Sequence, residues 1–109
     1  MDPKVKVIIK RPDEAVGHVT NISTSLRNLQ KTVEGYIENL GIGDGVAILM
    51  NEDGKYRGLE HNFFVSAGPY KDEIVGTVIV VKYDGEGNIV DLPDKYLQTW
   101  KKMLYYWGN

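Results

Sequence analysis

The chain has 109 residues, 42% of them hydrophobic and 26% charged, which suits a single domain with one core. It has no cysteine, so disulfides, thiolate metal sites and cysteine nucleophiles are excluded. Its formal charge of −2 is uneven: residues 1–12 and 95–109 each carry +3, while 13–94 hold fourteen carboxylates against six cations.

In chain order, Lys4–Lys10 alternates Val5, Val7 and Ile9 with lysines and predicts a half-buried strand, which Arg11-Pro12-Asp13 ends. Gly17–Ile22 reads as a short return strand. Ser23-Thr24-Ser25 supplies a cap for a helix over about 24–34, with Leu26, Leu29 and Val33 at helical spacing. Ile37 and Leu40 would prolong that period. Gly35 is costly inside a helix, however, so a strand is expected from Tyr36 to Leu40.

Gly41–Gly45 is then a turn into Val46–Met50, an apolar strand suited to burial on both faces. Asn51–Gly54 reads as a tight turn, Lys55–Leu59 as a weak strand or extended segment, and His61–Tyr70 as a loop anchored by Phe63 and Phe64. Glu73–Tyr83 is the strongest strand signal, expected to be central. Asp84–Asn88 is a turn before a short strand at Ile89-Val90. Pro93 and Asp94 open a last helix to about Trp107, rich in aromatics. The expected fold is one α+β domain over 1–109. It has a mainly antiparallel sheet of four to six strands, one helix packed on a face and the C-terminal helix over about 93–107.

The chain has no apolar run of about 20 residues and no signal-peptide pattern at its start, so the expectation is a cytoplasmic protein that does not span a membrane. A pI near 5.6 argues against duplex DNA as a partner. His18 and His61 have no ligand spacing, so no metal is expected. The phosphate loop, the dinucleotide fingerprint and the nucleophile elbow are all missing, so no cofactor and no catalytic residue is assigned. Neighbouring carboxylates such as Glu52-Asp53 and Asp72-Glu73 would point to opposite faces of a strand. Glu38, on an otherwise apolar strand, is the more notable acid.

The series L-R-N-L-Q-K-T-V-E-G-Y-I-E over Leu26–Glu38, N-E-D-G-K over Asn51–Lys55, H-N at His61 and I-V-G-T-V-I-V-V over Ile74–Val81 resembles a family of small domains of unknown function. Such domains occur in bacteriophages, prophages and mobile elements. The resemblance spans about residues 4–97. Glu34 stands where a second glycine is expected before G-Y-I-E, and the aromatic tail lies outside the signature.

The resemblance implies a non-enzymatic phage-type protein in the bacterial cytoplasm that counters host immunity by sequestering a nucleotide-derived signal. The alternative is direct inhibition of a host defence protein, and hydrolysis through Glu38 or Glu52 is the least favoured reading. The expected ligand-binding residues are Tyr36, Asn51, His61 and Asn62 around a base or ribose, and Lys4, Lys6, Arg57 and Lys102 near phosphate, with Glu38 and Glu52 beside them. Trp100, Tyr105, Tyr106 and Trp107 are the expected interface of a homo-oligomer.

Overall fold

A computed structural model describes residues 3–67 and 70–100. The chain runs β1 (Lys4–Lys10), β2 (His18–Ser23), α1 (Leu26–Val33), β3 (Ile37–Gly43), β4 (Val46–Asn51), β5 (His61–Ala67), β6 (Tyr70–Val75), β7 (Val78–Tyr83) and β8 (Ile89–Val90), then turns helical over 94–100. Six strands form an antiparallel sheet in the order β2-β1-β7-β4-β3, with β8 also on β7, while β5 and β6 form a separate hairpin. The class is α+β.

Period-two alternation in β1, β4 and β7 divides the core between the two faces of the sheet. On one face Val7, Ile9, Ala47, Leu49, Ile79 and Val81 meet Leu29 and Val33 of α1. On the other, Ile8, Ile48, Met50, Val78 and Val80 meet Phe63, Val65 and Ile74 of the hairpin, with Leu92 and Trp100. Each fully buried aliphatic or aromatic side chain contributes roughly 1.5–3 kcal/mol.

This second layer corrects several expectations. The C-terminal half of β1 is buried on both faces, because the hairpin layer covers Ile8 and Lys10, whereas Lys4 is exposed and Lys6 half-buried as the alternation leads one to expect. Residues 61–67 form a strand, not a loop: β6 supplies the backbone partners, and Phe63 and Val65 turn inward. The stretch Glu73–Tyr83 is two strands in two sheets, broken at Gly76 with φ +74°. A Cβ there would meet Leu59 Cδ1 at 2.8 Å, so the reversal between layers needs glycine. Residues 52–58 are turns throughout, which replaces the weak strand or extended segment expected at Lys55–Leu59. Strand β3 runs to Gly43, so the turn expected at Gly41–Gly45 shrinks to Asp44-Gly45.

Helix α1 starts where Ser25 Oγ accepts from the Asn28 N–H at 3.2 Å. It ends at Glu34, whose φ of +66° is left-handed and whose N–H, like that of Gly35, donates to Gln30 O. Helices commonly end on glycine in this conformation, and a side chain costs about 1–2 kcal/mol there. Glu34 therefore occupies the position where the sequence pattern calls for a glycine. Glu34→Gly is expected to raise stability by about 0.5–1 kcal/mol, read as a higher urea midpoint at unchanged slope.

Candidate functional site: an acidic cleft beside an edge strand

Strand β3 is an edge of the main sheet, and the hairpin covers the sheet's second face only in part. Between them lies a cleft of about 290 Å³ lined by Glu38, Met50, Asn51, Glu52, Asp53, Lys55, Tyr56, Asp72, Glu73 and Val75. The floor is Met50 and Val75. Glu38 comes from β3, Glu52 to Tyr56 from the turns after β4, and Asp72 and Glu73 from β6.

The turn segment is fixed from both ends. Asn51, 5% exposed, donates from Nδ2 to Val33 O at 3.0 Å and Glu34 O at 3.1 Å, while its Oδ1 accepts from the Asp53 N–H at 2.8 Å. One amide thereby caps the end of α1 and sets the turn that carries Glu52 and Asp53. Gly35 makes room for it, since a Cβ there would lie 2.7 Å from Asn51 Nδ2. Asn51→Ala would leave the Val33 carbonyl and the Asp53 N–H without this partner, and the Glu34 carbonyl with Arg57 alone. The expected loss is about 2–3 kcal/mol of stability, measured by denaturant unfolding, with weaker binding at the cleft as a consequence.

Among the described residues five carboxylates and one ammonium line the cleft, and Lys55 is ion-paired with Asp72. Glu73 Oε2 lies 2.8 Å from His61 Nδ1, and the His61 ring stands 4.8 Å from that of Phe64. Glu38, Glu52 and Asp53 have no side-chain ion pair among the described residues. No group of three or more His, Cys, Asp or Glu is arranged to hold a metal ion among those residues. Tyr56 lines the cleft and is 96% exposed, whereas Tyr36, just before β3 and 70% exposed, is not among the lining residues. The cleft thus offers an excess of negative charge, two apolar side chains and one exposed tyrosine ring, which together suit an organic cation.

The expected ligand residues divide. Glu38, Asn51 and Glu52 reach the cleft, although the Asn51 amide is committed inward. Arg57 Nη1 donates to Glu34 O at 2.5 Å and supports the end of α1, while His61 is engaged with Glu73. Asn62 is buried and binds Lys10 and Gly76, so its amide is turned away from any ligand. Lys4 and Lys6 lie on β1, separated from β3 by β7 and β4, and Lys6 Nζ is 3.3 Å from Asp94. They do not converge with the cleft. Trp100 is 4% exposed and packs in the chain's own core, which removes its surface from a subunit interface. Lys102, Tyr105, Tyr106 and Trp107 lie outside the described residues.

Asp53, Lys55, Asp72 and Glu73 were not among the ligand residues expected from the sequence, although the pairs Glu52-Asp53 and Asp72-Glu73 were noted there and set aside. Glu52-Asp53 escapes the strand rule because it sits in a turn. Asp72-Glu73 reaches the cleft only through the pairing of β6 with β5, a tertiary fact; the available signal was the recurrence of adjacent acids.

The family described as Domain of unknown function (DUF3846) matches residues 5–105 of the chain, and the chain belongs to that family. No curated protein and no solved structure shows significant similarity to it.

Proposed function

We propose that this domain is a non-enzymatic binding module that engages a protein partner by receiving a lysine or arginine side chain in the acidic cleft. The observation that carries this reading is the convergence of Glu38, Glu52, Asp53, Asp72 and Glu73 on one cleft whose one cation among the described residues, Lys55, is paired with Asp72. A phosphate entering it would meet net repulsion, whereas a cationic side chain gains charge-assisted hydrogen bonds and a ring face. Among the functions implied by the family resemblance, this chemistry supports direct binding of a host defence protein over capture of an anionic nucleotide.

The test is calorimetric titration with two panels: short lysine- and arginine-containing peptides, and cyclic dinucleotides with ADP-ribose. Binding confined to the basic peptides and weakened by added salt is the expected result. Heat from the nucleotides alone would overturn this reading in favour of signal sequestration.

A further inference from the structure

The backbone beside the cleft has groups that face no strand among the described residues. Strand β3 pairs antiparallel with β4 in a register that sets Ile37 opposite Asn51 and Glu38 opposite Met50. The Glu52 N–H donates to Tyr36 O at 2.8 Å, which makes Tyr36 and Glu52 a hydrogen-bonded pair of that ladder. Antiparallel pairs alternate, so Glu38 and Leu40 also turn their N–H and C=O groups toward β4. Those of Ile37, Asn39 and Gly41 point to the open side. The other edge of β4 agrees in phase: the Tyr83 N–H donates to Gly45 O at 2.7 Å, so β4 alternates its bonding between β7 and β3.

On the open side no strand pairs with β3 among the described residues. Lysine and proline, which commonly guard edge strands, do not occur in Ile37–Gly43. Gly41 leaves open space where a Cβ would stand. The Glu38 side chain lies on the cleft face of this same strand.

We infer that β3 is a docking edge on which an extended basic segment of a partner protein adds as a further strand, placing a lysine or arginine beside Glu38 in the cleft. The inference rests on the cationic reading of the cleft and adds the mode of recognition: backbone bonds to Ile37, Asn39 and Gly41 give register, and alternate side chains give specificity. Charge complementarity selects the occupant. A second copy pairing antiparallel about Asn39 would set each Glu38 beside the other copy's Leu40 and bring two acidic clefts together, which like-charge repulsion opposes.

The probe is a nine-residue capped peptide alternating lysine with valine and threonine, together with the same peptide N-methylated along one edge. In amide exchange followed by NMR, binding is expected to protect Ile37, Asn39 and Gly41 about tenfold more while leaving Glu38 and Leu40 unchanged. Asn39→Pro, which removes an outward N–H and no ladder bond, and N-methylation of the peptide are each expected to weaken binding at least about tenfold. Full affinity in both cases, with loss only in Glu38→Lys and Glu52→Lys, would overturn strand addition and leave the cationic cleft standing. No binding of either peptide would overturn both. Protection of the three amides in the peptide-free protein would show the edge already occupied and overturn the inference, by a second copy if it rises with concentration and by the chain itself if it does not.

Discussion

Asn62→Ala is expected to cost about 3–5 kcal/mol, a large share of the 5–15 kcal/mol available to a typical domain. Asn62 is 5% exposed and stands where the hairpin meets the main sheet. Its Nδ2 donates to Lys10 O at 3.0 Å and Gly76 O at 2.7 Å, and its Oδ1 accepts from Lys10 Nζ at 2.5 Å. Lys10 is itself 2% exposed, with Phe63 beside it at 5.6 Å from Nζ to the ring centre. Truncation therefore leaves two carbonyls and a buried ammonium without their principal partner, and the layers lose their polar tie. Asn62→Asp keeps a partner for the ammonium but no donor for the carbonyls, so it should fall between wild type and Asn62→Ala.

Desolvation lowers the pKa of Lys10 from 10.5, outweighing the opposing pull of Glu14 and Asp13. Between that lowered value and 10.5 the unfolded chain binds more protons than the folded one, so the lysine's contribution to stability rises with pH across that window. Measured by urea unfolding, wild type should gain on Lys10→Met as the pH climbs toward 10.5. Equal slopes for the two proteins would mean that the amine is solvated in the folded state.

What could be read in advance depended on whether a residue's partner was local. The break between α1 and β3 was legible because Gly35 interrupts the helical period, and Ser25 was visible as a cap. The centrality of β7 was legible in Val78–Val81, an apolar run that only a doubly covered strand can carry. The hairpin was not. His61–Ala67 lacks clean alternation because a bulge between His61 and Phe63 lets Asn62 and Phe63, adjacent in sequence, both be buried. Asn51 and Asn62 share a second lesson: buried amides resemble ligand-binding amides in sequence, and only the backbone groups they satisfy, 14 to 52 residues away, tell them apart. Of the cleft, Glu38 and Glu52 were visible; the acids that complete it required the placement of β6.

Reversing charge in the cleft should separate its binding role from any structural one. Glu52 lies on an exposed turn and Glu38 on an edge strand, both outside the buried core, so Glu38→Lys and Glu52→Lys are each expected to change stability by no more than about 0.5 kcal/mol. Relief of repulsion from Asp53, Asp72 and Glu73 offsets part of any lost solvation. Binding should respond far more strongly. A charge-assisted hydrogen bond contributes about 1.5–3 kcal/mol, so each reversal should weaken a basic peptide by about ten- to a hundredfold, and the pair by more. Wild-type affinity should fall between 50 and 300 mM salt, to a degree that the doubly reversed protein no longer shows. The neutral variants Glu38→Gln and Glu52→Gln should lie between, since they retain shape and hydrogen bonding while losing charge. If reversal abolished folding the carboxylates would be structural, and if it left peptide affinity unchanged the cation would have to bind elsewhere. Stability held with affinity lost is the outcome that a partner-binding cleft requires.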